Sequence, residues 1–126
     1  MAAAAALATL DHIEALDVVG HAGRVGPELQ ARLRKLVQSC SFVGDVRGIG
    51  LMLGIEMVAD KALRTPMLRS SDIPARVARE AYQRGLMVRV SGPNLILSPP
   101  LVITAQEVGY LCDTLEASFA AVDATL

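Results

Sequence analysis

Two apolar runs, Phe42-Val43-Gly44-Asp45-Val46-Arg47 and Leu51-Met52-Leu53-Gly54-Ile55-Glu56-Met57-Val58, are separated only by Gly48-Ile49-Gly50. Parallel strands need a crossover far longer than this link, so the pair predicts antiparallel strands. The glycines in and beside the runs allow a bulge or a close approach of backbones. A second pair follows: Leu86 to Val90, a turn at Ser91-Gly92-Pro93-Asn94, and a return over Leu95 to Leu97. Ser98-Pro99-Pro100 ends it, because prolines donate no hydrogen bond to a ladder.

Helices fill the rest. Leu7, Leu10, Ile13 and Leu16 recur at helical spacing between about Ala2 and Val19, with Thr9, Asp11 and Glu14 between them. This helix opens in a run of alanines without a capping residue, as a chain would that starts inside an element. Ala2 to Ala6 are expected to pack closely against another surface. Gly20, Gly23 and Gly26-Pro27 read as punctuation before a second helix over about Val25 to Val37. Its Arg32, Arg34 and Lys35 sit near the C-terminal end, where they complement the helix dipole. Asp60 to Ser71 reads as a loop. A third helix spans about Asp72 to Arg84, with Ser71 or Asp72 as N-cap and Gly85 as a left-handed stop. Thr104-Ala105-Gln106-Glu107 matches a capping box and opens a last helix with Val108, Leu111, Leu115, Phe119 and Val122 along one stripe. The order predicts an α+β domain, a small antiparallel or mixed sheet covered by helices.

The 126 residues fit one domain. With 52% hydrophobic and 20% charged residues the chain has ample material for a core, whereas disorder needs the opposite balance. Leu, Val, Ile, Met and Ala must fill that core, since Trp is absent and only two Phe and two Tyr are present. The charge, −1 from 12 basic and 13 acidic residues, is spread along the chain. Without a basic block, nucleic-acid binding is not expected. The alanine run lacks both the basic start of a signal peptide and the length of a membrane span. Cys40 and Cys112 lack metal-ligand spacing, so no metal site is expected, and the two thiols read as small core hydrophobes in a reducing cytosol.

Chemistry-bearing residues are few. His12 and His21 have no carboxylate or thiol at a catalytic spacing and read as surface or helix-end residues. Gly48-Ile49-Gly50 precedes a strand rather than a helix, so it reads as a turn and not a phosphate loop. A Schiff-base lysine needs an enclosed, desolvated site, yet Lys35 lies in a charged run and Lys61 in a polar loop, and both read as solvated. Arg89 stands out. It interrupts the apolar stretch Leu86-Met87-Val88-Arg89-Val90 just before a glycine turn, where a guanidinium is available to grip a carboxylate through two hydrogen bonds. Arg47, also at a strand end before glycine, is a second candidate with a stronger case for a structural ion pair.

Four segments, the alanine run Ala2 to Asp11, Val43 to Glu56, Arg84 to Arg89 and Ser98 to Thr104, together resemble the C-terminal part of class III aminotransferases, in that family's order and at about its spacing. Met87-Val88-Arg89 before Ser91-Gly92, with Ser98-Pro99-Pro100-Leu101 after it, most resembles the ω-amino-acid:pyruvate group. The resemblance implies that residues 1–126 form the single C-terminal small domain of a fold type I enzyme. Residues 1–38 would be lead-in helices and residues 42–126 a sheet-and-helix core. It also implies a separate large domain, absent here, that binds pyridoxal phosphate. The cofactor lysine, the aspartate facing the pyridine nitrogen and the ring-stacking aromatic belong to that domain, and none can be matched onto this sequence.

The intact parent, a cytoplasmic homodimer, would move an amino group from an amine or ω-amino acid to a keto acid such as pyruvate, with the cofactor ring as electron sink. Arg89 aligns with the arginine that in ω-transaminases swings in to hold a substrate carboxylate. The chain alone is then expected to bind no cofactor and to turn nothing over. The alternative is a stand-alone interaction module that kept the small-domain fold and lost the chemistry.

Overall fold

A computed structural model describes Ala2–Leu126. The chain runs α1 (Ala2–Ala15), α2 (Val18–Leu33), α3 (Leu36–Ser39), β1 (Val43–Ile49), β2 (Met52–Asp60), β3 (Thr65–Pro66), α4 (Ile73–Gln83), β4 (Arg89–Ser91), β5 (Asn94–Leu97) and α5 (Ala105–Asp123). The strands form one antiparallel sheet in the order β1-β2-β5-β4, with β3 paired to the far end of β2. This is the α+β arrangement expected, and the mixed alternative is excluded.

The sheet has two unlike faces because side chains alternate along each strand. Leu53, Ile55 and Met57 on β2, Leu95 and Leu97 on β5, and Val43 and Val46 on β1 point to the helices and are buried. They meet Leu29 and Leu33 of α2, Leu36 of α3, Val77 and Ala81 of α4, and the α5 stripe Val108, Leu111, Leu115, Phe119 and Val122. Phe42 and Phe119 stack with ring centroids 5.8 Å apart. Cys40 and Cys112 are buried free thiols within this core. The other face carries a row running Arg47, Gly54, Ile96 and Arg89 across the four strands. A bulge between Val43 and Asp45 shifts the β1–β2 register beside Gly44.

Local signals decided the helix ends where they were complete. Thr104 and Glu107 form the reciprocal capping box, and Thr104 caps α5. After α4, Gly85 adopts φ 85. Its N–H donates to the Tyr82 carbonyl at 2.9 Å and that of Leu86 to the Ala81 carbonyl at 2.9 Å, the two bonds of a left-handed helix stop. Asp72 occupies the N-cap position of α4, but it is Ser71 Oγ that accepts from the Ile73 N–H, at 3.3 Å.

Several boundaries differ from expectation. The first helix stops at Ala15 rather than Val19, and Asp17, at φ 46, redirects the chain into α2. The second helix begins at Val18, well before Val25, and carries Gly20, Gly23, Gly26 and Pro27 inside it. Gly26 serves contact rather than punctuation. A Cβ there would lie 2.5 Å from the Gly50 carbonyl carbon and 2.7 Å from its Cα, so only glycine lets α2 rest on the β1–β2 turn. Pro27 removes one helical hydrogen bond, but the carbonyl left over belongs to exposed Gly23, where water can satisfy it.

The strand expected over Leu86 to Val90 is found at Arg89–Ser91, and the Leu86 N–H is instead committed to the Ala81 carbonyl of α4. The loop from Asp60 to Ser71 holds the two-residue β3. The packing expected of Ala2 to Ala6 is not found among the described residues: α1 has no buried residue, and Leu7, Leu10 and Leu16 are about half exposed or more.

Candidate functional site

At one end of the sheet a groove of about 1180 Å³ opens between residues 86–89, the stretch 96–104 and the first turns of α5. Met52, Leu86, Met87, Val88, Ile96 and Leu111 give it a largely apolar lining. Its walls are tied by contacts distant in sequence. His21 Nε2 lies 2.8 Å from the Ile103 carbonyl, fixing the 98–104 loop to α2. Tyr110 Oη donates to the Arg84 carbonyl, fixing α5 to the end of α4. His21, expected at a surface or helix end, instead lies inside α2 and is half-buried.

Two charged side chains line the groove, Arg89 on β4 and Glu107 in the first turn of α5. Arg89 is exposed, lies on the edge strand, and forms no ion pair among the described residues. Its guanidinium donors are thus available to a ligand. Glu107 is held in place. Its Oε2 accepts from the Thr104 N–H and hydroxyl, each at 2.8 Å. These bonds, the backbone one foremost, hold its carboxyl below the usual carboxylate range. Sequence reasoning assigned Glu107 to the helix cap alone. Its place in the groove depends on how the 98–104 loop folds, which no local pattern encodes.

Arg47 is differently placed. Its Nη1 contacts Glu56 Oε2 at 2.5 Å and Asp45 Oδ2 at 3.0 Å, and these partners, Glu56 foremost, raise its pKa. Arg47 is therefore a clamp on the sheet and does not line the groove. Arg32, expected to serve its helix dipole, reaches across to Asp113 and Glu116 of α5, with Nε 3.1 Å from Glu116 Oε1.

Neither lysine lines the groove. Lys35 is exposed between α2 and α3. Lys61, expected to be solvated, is half-buried, and its Nζ donates to the Val37 carbonyl and, at 2.7 Å, to the Cys40 carbonyl. Its ammonium is therefore spent on the carbonyls that end α3. A cofactor joined through a lysine amine does not fit this groove, since neither amine lines it. Among those residues no His, Cys, Asp and Glu gather into a metal site, and no helix is long and apolar enough to cross a membrane.

Comparison with known proteins places this geometry. The model of the family "Aminotransferase class-III" matches residues 1–119. An adenosylmethionine-8-amino-7-oxononanoate aminotransferase from Methanocaldococcus jannaschii is 41% identical over 114 residues, covering 88% of this chain and 24% of that protein. A leucine/methionine racemase from Thermococcus litoralis is 35% identical over 124 residues, covering 98% of this chain and 27% of its own length. Among solved structures, a PLP-bound amine transaminase from an uncultivated Pseudomonas species superimposes with a TM-score of 0.90 at 45% identity, covering 94% of this chain and 27% of that one. The chain thus spans about a quarter of the length of the proteins it matches. Its sequence match over residues 1–119 and its sheet-and-helix fold make it a member of the class III aminotransferase family.

Proposed function

We propose that this chain supplies the substrate-carboxylate wall of a pyridoxal-phosphate-dependent aminotransferase, with Arg89 as the group that grips the carboxylate. The enzyme moves an amino group from an amine or ω-amino acid to a keto acid such as pyruvate, and works as a cytoplasmic homodimer whose large domain carries the cofactor. The ω-transaminase-like subgroup is supported by the 45% identity to an amine transaminase. Residues 1–126 act as the small domain, with 1–38 leading into the sheet-and-helix core of 42–126.

One observation carries this reading: Arg89 is the cation lining a largely apolar groove, and it lacks an ion-pair partner among the described residues. A guanidinium with no partner binds a planar carboxylate through two parallel N–H bonds. The apolar walls exclude water from the ligand's chain and strengthen that contact. The cofactor, when bound in the larger enzyme, supplies the electron sink; this chain orients the substrate against it.

The chain alone is inactive. Mixing it with pyridoxal phosphate, reducing with borohydride and digesting for mass spectrometry will yield no stoichiometric adduct at Lys35 or Lys61, and no amino transfer to pyruvate. A stoichiometric adduct at either lysine, together with turnover, overturns the assignment.

A further inference from the structure

Arg89 explains how a carboxylate is held, but the second charge of the groove has no part in that role. Glu107 already completes the capping box of α5, and its Oε1 accepts no hydrogen bond from the described residues. We propose that Glu107 is a specificity-determining residue, the anionic wall that makes the Arg89 groove favour ligands with one carboxylate over those with two. This rests on Arg89 as the carboxylate-binding group.

The geometry gives the reason. Arg89 and Glu107 line the same groove and form no ion pair with each other. The negative charge therefore remains available to act on a ligand. A ligand anchored at Arg89 extends its remaining atoms along the apolar lining toward α5. An uncharged tail is tolerated there, whereas a second carboxylate meets the like charge of Glu107, which stands exposed on the groove wall. A free glutamate would swing aside at small cost. This one is held by two hydrogen bonds of 2.8 Å to Thr104, and moving it gives up its half of the capping box of a 19-residue helix. The same carboxylate also offsets the partial positive charge at the start of α5. Removing its charge leaves that partial positive charge unopposed, so the field met by a second carboxylate becomes less repulsive.

Glu107→Gln tests this cleanly, since glutamine also completes a capping box and so preserves the helix start. The 126-residue chain is titrated with propanoate and with succinate, following the amide and arginine side-chain resonances by NMR, in the wild type, Glu107→Gln and Arg89→Ala. The wild type will prefer propanoate. Glu107→Gln will tighten succinate about three- to fivefold relative to propanoate, toward the upper end expected of an exposed charge contact. In the wild type 1 M salt will narrow the gap between the ligands, because it screens the repulsion.

A merely structural role for Glu107 shifts both ligands equally. An unchanged ratio in Glu107→Gln, or a wild-type ratio indifferent to salt, therefore overturns the proposal while Arg89 stands. If Arg89→Ala binds both ligands as the wild type does, the carboxylate-binding role itself falls, and this proposal with it.

Discussion

Two glycines three residues apart in α2 offer a test in which the sign of the effect depends on the packing described above. Gly23 is exposed, and a Cβ built there meets nothing within 4 Å. Gly26 is buried against the β1–β2 turn, and the same Cβ would lie 2.5 and 2.7 Å from backbone atoms of Gly50. Replacing either glycine by alanine gains roughly 0.5–1 kcal/mol of helix stability. That gain is common to both variants and cancels when they are compared. What remains is the collision at Gly26, which no rotamer relieves because the obstacle is main chain. Overpacking of this kind costs about 1–3 kcal/mol.

Gly23→Ala is therefore expected to stabilise the chain, and Gly26→Ala to end about 1–3 kcal/mol below it. With a urea dependence of roughly 1–2 kcal/mol per molar, the unfolding midpoints at 25 °C, read by far-ultraviolet circular dichroism, should lie about 0.5–3 M apart. If Gly26→Ala proves as stable as Gly23→Ala, α2 does not rest on the hairpin turn and the placement of His21 against the groove loop loses its basis.

Three further outcomes follow from named contacts. Thr104→Ala removes the acceptor for the Glu107 N–H and is expected to lower stability by about 1 kcal/mol in the same urea assay, whereas Glu107→Gln should stay within about 0.5 kcal/mol. Lys61→Met leaves the Val37 and Cys40 carbonyls without their ammonium donor and should cost about 1–2 kcal/mol; a loss below 0.3 kcal/mol would show that water replaces it freely. Burial pushes the Cys112 thiol up to about 11 from an ordinary 9.0. The folded state then keeps its proton where the unfolded state has lost it, so this contribution to stability is complete below pH 9 and falls as the pH rises toward 11. Urea midpoints that decline across that window in the wild type, and less steeply in Cys112→Ala, are the expected result.

The sequence disclosed those elements whose signals are local and complete. Thr104 with Glu107, Gly85 after α4, and the α5 stripe each sit within a few residues of what they control. The β1–β2 pair was legible because its short link leaves an antiparallel hairpin as the simplest arrangement. Gly26 was misread because a glycine that admits another backbone looks, along the chain, like one that punctuates it. Lys61 was misread for the same reason: its partners at residues 37 and 40 come together with it only in the fold. Arg89 was visible as a charge in an apolar strand. That Glu107 shares its groove was not, because the loop between them is positioned by His21, 82 residues from Ile103.

The role of Arg89 is most directly tested by its own guanidinium. Titrating the chain with pyruvate while watching the Arg89 Nε–Hε resonance should give a saturable shift that weakens with salt. Arg89→Ala should abolish the accompanying changes at Met87, Ile96 and Ser98, and Arg89→Lys should restore them only in part, because lysine lacks the planar two-point grip. Identical pyruvate responses in the wild type and Arg89→Ala would contradict the assignment.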